Sequence, residues 1–222
     1  GNTLASFDAA LTAGVDMIEF DVIAEHRDGS GTLLVAHDYG HVAGAPTLDE
    51  ALAHLGSERF SGIELGVDLK LPGYEDRVVG ALRSHGVLDR ALISTMELES
   101  LPRLRALGRD VRVGWSVPKV KRNYLASPWT RPLAYVAIGW LRLTLPRRLS
   151  RAIQAGAVDA AMAHQAVVTK RFVDAVHAAG GEIYVWTVDD TRAIAKFRAL
   201  GVDGITTNDP RLFAQPAESV RA

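Results

Sequence analysis

Apolar positions along the chain follow two spacings, one typical of helices and the other of buried strands. Apolar residues three and four positions apart predict helices, and short apolar runs between turn residues predict strands. The predicted helices are Thr3–Ala13, Leu48–Leu55, Glu75–Ser84, Leu98–Leu107, Lys170–Ala179 and Thr191–Leu200. The predicted strands are Met17–Val22, Thr32–Ala36, Ile63–Leu69, Ala91–Thr95, Val111–Val117, Ala160–Ala163, Ile183–Val188 and Gly204–Thr206. A frayed tail is expected from Pro216 onward.

Strands that alternate with helices in this way indicate parallel βαβ units and an α/β fold. Only the turn His26–Gly31 separates the first two strands, which is too short for a parallel crossover and predicts a hairpin. Seven parallel strands then remain for a TIM (β/α)8 barrel, so we expect the first barrel strand to lie upstream of Gly1 and to be missing from the chain. The alternative is a seven-stranded or doubly wound sheet. In either case residues 1–222 are expected to form a single domain.

Two carboxylates interrupt the first predicted strand. Glu19 and Asp21 are two residues apart among apolar neighbours, so both side chains face the same side of the strand. Adjacent carboxylates repel when both are ionised and dehydrated, and a bound divalent cation such as Mg²⁺ or Ca²⁺ removes that cost. The other interpretation of such a pair is a solvated strand edge.

The following strands bring further polar residues to the same rim. Folding the hairpin about residues 28–29 places position 37 opposite position 20 or 21, so His37 returns beside the two acids. An imidazole near a metal-bound phosphate can exchange a proton near neutral pH. Asp68 and Lys70 are again two residues apart, and they add a third carboxylate and a cation that could face a phosphate oxygen. Alone, each pattern also fits a turn or a surface ion pair, but their joint placement at strand ends predicts a site.

The segment 111–158 differs from the rest of the chain in charge. It contains three of the four tryptophans and no acidic residue. Its basic residues are Arg112, Lys119, Lys121, Arg122, Arg131, Arg142, Arg147, Arg148 and Arg151. Within it we predict an insertion at about 118–150 over the active-site face of the barrel. This insertion is either a lid or barrel helix with a solvated basic face, or a peripheral contact with anionic lipid.

Composition excludes several classes of protein. With 222 residues, 48 % of them apolar, the chain can bury a core, and a net charge of −1 argues against nucleic-acid binding. The absence of cysteine excludes disulfides, thiolate nucleophiles and cysteine-bound metals, and fits a cytoplasmic location. The longest apolar run, Leu133–Leu141, has nine residues and is too short to cross a bilayer.

Several motifs, in order along the chain, resemble those of the glycerophosphodiester phosphodiesterase family. They are NTLASF at Asn2–Phe7, VDMIEFDV at Val15–Val22, LLVAHD at Leu33–Asp38, PTLDEAL at Pro46–Leu52, the strand Ile93–Thr95, VWTVD at Val185–Asp189 and GVDGITTNDP at Gly201–Pro210. The resemblance implies a TIM-barrel enzyme that uses a divalent metal. Such enzymes hydrolyse glycerophosphodiesters to glycerol 3-phosphate and an alcohol.

The resemblance also assigns roles to individual residues. Glu19 and Asp21 match two metal ligands, and Asp68 stands where the family usually has the glutamate of a Glu-x-Lys strand, with Lys70 matching its lysine. His37 matches one of two catalytic histidines. Trp186 matches a tryptophan that lines the pocket for the apolar side of glycerol, although it could also be a core residue. His164, at the same rim, is either a substrate-binding residue or a capped or core histidine.

The sequence departs from the family pattern in two places. The second catalytic histidine belongs to a His-Arg-Gly motif that the chain does not contain, and Gly1 stands where the family has a glutamate before Asn-Thr. We therefore expect the chain as written to lack half of the acid–base pair. Asp68 also makes the metal ligands similar to those of sphingomyelinase D-like phospholipases. There are two alternative functions. One is a lipid phosphodiesterase of the sphingomyelinase D or lysophospholipase D type. The other is a catalytically dead barrel that binds phosphoglycerol compounds or membranes.

Overall fold

A computed structural model describes residues 2–119 and 131–214. The predicted tail from Pro216, and the part of the predicted insertion that falls on residues 120–130, lie outside the described residues. The helices are α1 Leu4–Thr12, α2 Leu48–Leu55, α3 Glu75–Ser84, α4 Ser100–Ala106, α5 Arg131–Gln154, α6 Lys170–Ala178 and α7 Thr191–Leu200. The strands are β1 Met17–Ala24, β2 Leu33–Val35, β3 Glu64–Leu69, β4 Ala91–Thr95, β5 Arg112–Val117, β6 Ala160–His164, β7 Glu182–Trp186 and β8 Gly204–Ile205.

The chain forms two compact units, and the first extends to Gly114. Its strands are ordered β2-β1-β3-β4, with β1, β3 and β4 parallel. Strand β2 runs antiparallel to β1 with Val22 opposite Val35, so the predicted hairpin is confirmed. The turn is closed by a hydrogen bond from the Glu25 amide to the Thr32 carbonyl.

Strand β1 carries Phe20 on one face and the two acids on the other. Phe20 is fully buried, and its ring lies 5.6 Å from that of Phe7 in α1. Because successive side chains point to opposite faces, this packing sends Glu19 and Asp21 to the other face of the sheet. The helix therefore fixes which side of the strand carries the acids.

The second unit begins at Trp115 and contains the parallel strands β6, β7 and β8. Helix α5 packs there through the buried Leu145, Leu149 and Ile153. The Ser150 hydroxyl donates to the Ala175 carbonyl of α6 at 2.7 Å, which ties the two helices together.

The observed elements extend and correct the predicted ones. Helix α5 runs to Gln154, past the predicted end of the insertion at 150, and continues through Pro146. Helix α4 begins at Ser100 instead of Leu98, because the Ser100 amide first closes a turn onto the Glu97 carbonyl. No strand precedes α1 in the part of the chain that the structure describes. Within the described ranges, no helix combines the length and apolarity needed to cross a membrane.

Candidate functional site

Three carboxylates of the first unit meet on one face of the parallel strands β1 and β3. Asp21 and Asp68 are register partners in these parallel strands, and Glu19 precedes Asp21 on the same face. One carboxylate oxygen from each of the three residues lies within 4.8 Å of the others. Asp21 and Asp68 are buried and Glu19 is half-buried. Three oxygen ligands at this spacing could hold one hard divalent cation.

Gly66 makes room for the Glu19 side chain. It is the register partner of Glu19, and a Cβ at position 66 would lie 3.3 Å from both Cβ and Cγ of Glu19. That distance is tighter than ordinary van der Waals contact. A glycine inside a strand often marks such a close approach, and this signal was available in the sequence.

Lys70 lies between the two aspartates. Its Nζ is 2.7 Å from Asp68 Oδ2 and 2.5 Å from Asp21 Oδ1. Burial alone would lower the pKa of Lys70, but the negative charges of Asp68 and Asp21 raise it above its usual value. Burial would likewise raise the pKa of Asp21, yet the charge and hydrogen bond of Lys70 hold it below its usual value. The lysine and the aspartate are therefore both charged at neutral pH.

The pKa of Glu19 shifts in the opposite direction to that of Asp21. Burial, with the neighbouring charges of Asp21 and Asp68 adding to it, raises the pKa of Glu19 from 4.5 to about 8. Without a cation, Glu19 therefore keeps a proton at neutral pH. A divalent cation among the three acids would remove the repulsion that keeps this carboxyl protonated.

His37 returns along the hairpin to the same cluster. Its Nδ1 is 2.9 Å from Asp21 Oδ2, and the Ala36 amide before it donates to the Asp21 carbonyl. A carboxylate partner means that Nδ1 carries the proton, so Nε2 is the nitrogen left to exchange one with a substrate. The His37 side chain is 66 % exposed, so solvent and small molecules reach it.

Asn2 is a site residue that the sequence pattern did not reveal. Its Nδ2 donates to Asp21 Oδ2 at 2.8 Å, and its Oδ1 accepts from the Asp21 amide at 2.9 Å. Thr3, and not Asn2, caps α1. The paired hydrogen bonds of Asn2 fix both the backbone and the carboxylate of Asp21.

Two other residues, Ser94 and Tyr74, support the cluster through hydrogen bonds. The Ser94 hydroxyl of β4 donates to Asp68 Oδ1 at 2.8 Å. The buried Tyr74 hydroxyl donates to the Val22 carbonyl at 2.8 Å and accepts from the Leu71 amide at 3.1 Å. Tyr74 thereby ties the loop after β3 to the end of β1. The bonds of Ser94 to Asp68 and of Tyr74 to Val22 have no local sequence pattern, because these partners lie 26 and 52 residues apart in the chain.

A cleft of about 390 Å³ opens beside the cluster in the first unit. Its lining residues are Ile23, Arg27, His37, Asp38, Tyr39, Gly40, Lys70 and Leu71. The volume lies within the range of small-molecule sites. A phosphodiester could therefore enter beside both His37 and Lys70.

The two remaining predicted site residues lie together in the second unit. His164 and Trp186 end β6 and β7, are register partners, and pack edge to face with ring centroids 5.0 Å apart. The Ala166 amide donates to His164 Nδ1 at 3.1 Å, and burial lowers the pKa of this histidine. His164 is therefore neutral at pH 7, and Nε2 carries its ring proton.

The amino-acid sequence of the chain is similar to those of known proteins. A family model described as the glycerophosphoryl diester phosphodiesterase family matches residues 1–125 and 38–212. A glycerophosphodiester phosphodiesterase of Caldanaerobacter subterraneus subsp. tengcongensis is 24 % identical over 243 residues, covering 94 % of this chain and 88 % of the relative.

Solved structures show the same fold. A glycerophosphodiester phosphodiesterase from Parabacteroides distasonis superimposes with a TM-score of 0.71 at 18 % identity, covering 96 % of this chain and 90 % of the other. An Oleispira antarctica phosphodiesterase in complex with the product sn-glycerol-3-phosphate gives 0.66 at 21 % identity, covering 96 % and 91 %. The chain therefore has the α/β TIM-barrel fold predicted from its sequence, and the doubly wound alternative is wrong.

Proposed function

The chain belongs to the glycerophosphoryl diester phosphodiesterase family, and on this basis we propose that it hydrolyses glycerophosphodiesters to glycerol 3-phosphate and an alcohol. The observation that carries the proposal is a cluster of charged and titratable side chains on β1 and β3 and just after β2 and β3. Its members are Glu19, Asp21, Asp68, His37 and Lys70. Three acids, one imidazole and one ammonium group are the components that metal-assisted phosphoryl transfer requires.

Glu19, Asp21 and Asp68 are the residues that would hold a divalent cation, Mg²⁺ or Ca²⁺. Their fit is supported by the chemistry of the oxygen ligands, by their spacing and by the raised pKa of Glu19. Lys70 already bridges two of the acids as a cation. The bound metal would supply charge neutralisation for the phosphate as negative charge develops on its oxygens.

His37 is the proton-transfer group of the mechanism. Hydrolysis breaks the bond between phosphorus and the alcohol oxygen, and the departing oxygen must gain a proton while the attacking hydroxyl loses one. The attacking group is either water or the 2-hydroxyl of the glycerol moiety. In the second case a cyclic phosphate forms, and water then opens it to glycerol 3-phosphate. Asp21 holds the His37 ring by Nδ1, so Nε2 carries out one of these transfers. The family's second histidine would carry out the other.

Lys70 supplies a permanent positive charge to the phosphate. The flanking aspartates raise its pKa, so it stays protonated throughout the physiological pH range. Because the ammonium group is fixed by Asp68 and Asp21, little reorganisation is needed when a phosphate oxygen approaches.

His164 and Trp186 are proposed to bind the substrate. Active sites of TIM barrels form at the carboxyl ends of the strands, and these residues end β6 and β7. The indole offers an apolar surface for the carbon side of glycerol, and the neutral His164 can donate from Nε2 to a substrate oxygen.

The direct test is the release of glycerol 3-phosphate from glycerophosphocholine by the full-length natural protein with Mg²⁺ or Ca²⁺. We expect His37→Ala to lower turnover by about 100-fold or more, since general acid–base catalysis has that magnitude. His41→Ala is the matched control. His41 lies four residues after His37, is similarly exposed and also pairs with an aspartate, Asp38. Near-wild-type turnover in His37→Ala would remove His37 from the mechanism.

The same assay separates the alternative functions. Faster turnover of lysophosphatidylcholine than of glycerophosphocholine would favour a lipid phosphodiesterase. If neither is hydrolysed while glycerol 3-phosphate still binds, the chain would be a binding barrel without activity.

A further inference from the structure

The first half of helix α5 exposes large apolar side chains that the proposed hydrolysis does not use. Leu133, Val136, Trp140 and Leu143 are each more than half exposed. Their spacing of three, four and three residues puts them on one side of the helix, and we call these four residues the apolar stripe. Several large apolar side chains exposed side by side on a protein surface mark an interaction site.

The same side of α5 becomes basic in the second half of the helix. Arg147 and Arg151 follow Leu143 at intervals of four residues, so they continue the line of the apolar stripe, and both are exposed. Arg142 and Arg148 lie off this line, where they contact the Ala166 carbonyl and the Trp115 ring. The exposed side of the helix therefore changes from four apolar residues to two arginines.

The other side of α5 is the one that anchors the helix to the protein. Leu145, Leu149 and Ile153 are buried in the second unit, and Ser150 is bonded to α6. The apolar stripe is therefore not the packing side of the helix. It lies on the exposed side of a helix that its opposite side anchors to the protein.

We propose that this side of α5 docks on an anionic lipid surface, with the apolar stripe entering the interface and Arg147 and Arg151 contacting lipid phosphates. Charge complementarity selects this partner, because residues 111–158 contain nine basic residues and no acidic residue. Trp140 suits the interface, where indole rings are favoured. The helix lies in the plane of the surface, since it is not apolar enough to cross a bilayer.

A second copy of the chain is the competing occupant of the apolar stripe. The composition of the segment argues against it, because a second copy would present the same residues 111–158, which contain no acidic residue to pair with Arg147 and Arg151. The docking goes beyond the proposed hydrolysis and does not depend on it.

Co-sedimentation with vesicles tests the docking. We expect the protein to sediment with vesicles of 70 % phosphatidylcholine and 30 % phosphatidylglycerol at low salt, and much less with pure phosphatidylcholine or in 0.5 M NaCl. The double variant Arg147→Glu/Arg151→Glu should bind more than about tenfold more weakly, since each basic residue contributes about fivefold near an anionic surface. The variant Trp140→Ser/Leu143→Ser should lose binding as well.

Matched controls separate docking from general changes in charge or stability. Tyr135→Ser removes an equally exposed ring from the other side of α5, and Arg171→Glu changes an exposed charge on α6, so both should bind like the wild type. The proposal fails if the wild type does not sediment with the anionic vesicles, or if these controls weaken binding as much as the stripe variants. It also fails if light scattering shows a dimer that Trp140→Ser/Leu143→Ser abolishes while vesicle binding is absent. Hydrolysis of soluble glycerophosphocholine should be unchanged in every variant, so this result is independent of the proposed activity.

Discussion

Asp21 and Asp68 lie side by side as register partners of adjacent parallel strands, with both carboxylates buried. Two such charges are costly together, and the ammonium of Lys70 offsets part of that cost by contacting both. Glu19 adds a third acid, which stays protonated at neutral pH because burial and the charges of Asp21 and Asp68 raise its pKa by more than Lys70 lowers it. The cluster is thus built at the expense of stability, as is common for functional sites.

The raised pKa of Glu19 makes stability depend on pH. In the unfolded chain the carboxyl titrates near 4.5, whereas in the folded protein it titrates near 8. Between these values the folded state holds a proton that the unfolded state has released, so the free energy of unfolding should fall as pH rises. The expected slope in metal-free buffer is up to about 1.4 kcal/mol per pH unit.

Thermal or urea unfolding in EDTA between pH 5 and pH 9 measures this slope. The variant Glu19→Gln should flatten the curve and be more stable than the wild type at pH 8. The depressed pKa of Asp21 acts only in acid, where stability falls as pH drops through that pKa. Identical pH profiles for wild type and Glu19→Gln would show that Glu19 is not protonated at neutral pH.

Asn2 is expected to position Asp21 without touching the substrate. Asn2→Ala removes both hydrogen bonds to Asp21 and should weaken divalent cation binding by about 10-fold or more, as other groups that orient metal ligands do. Thr3→Ala is the control, because it removes the cap of α1 at a cost of about 1 kcal/mol while leaving Asp21 untouched. Cation affinities measured by calorimetry should therefore separate the two variants. Equal affinities would restrict Asn2 to a structural role.

Tyr74 is expected to stabilise the folded state. Tyr74→Phe keeps the ring but removes the hydroxyl that joins the Val22 carbonyl to the Leu71 amide. Because the Leu71 amide then loses its acceptor and the Val22 carbonyl keeps the Lys70 amide but loses the hydroxyl, the free energy of unfolding should fall by about 1–3 kcal/mol. Urea unfolding measures the loss, and Tyr39→Phe serves as a control, since Tyr39 is itself partly exposed and its hydroxyl donates to the Ala24 carbonyl. A loss no greater than that of Tyr39→Phe would contradict this account of Tyr74.

Trp186 is expected to affect substrate binding and not the metal. Trp186→Ala should raise KM for glycerophosphocholine by about tenfold if the indole, as proposed, supplies apolar area to the glycerol moiety. The affinity for Mg²⁺ or Ca²⁺ should stay the same, since the variant keeps the three carboxylates that would hold the cation. Trp140→Ala, in the exposed part of α5, is the control. An unchanged KM in Trp186→Ala would leave the residue with core packing alone.

The parts of the fold that depend on local patterns were predictable from the sequence. Helices α2, α3 and α7 and strand β4 have the predicted bounds, because caps and turn residues delimit them. Helix α5 was not delimited, because Pro146 lies inside it and its exposed apolar stripe masks the usual pattern of one buried side.

Within the site, too, local spacing predicted some of the residues and could not predict others. Period-two spacing was enough to place Glu19 beside Asp21, and the short hairpin was enough to bring back His37. Asn2 and Tyr74 were missed because their partners lie 19 and 52 residues away, and no local spacing encodes such contacts.

Calorimetric titration of Mg²⁺ and Ca²⁺ tests the central claim, that three acids hold one cation. The wild type should bind one cation per chain. Glu19→Gln and Asp68→Asn should each weaken binding by at least about tenfold while remaining folded by circular dichroism. Asp38→Asn, which removes an exposed carboxylate beside His37, should bind like the wild type. Absence of saturable binding in the wild type, or equal affinities in all four proteins, would contradict the account.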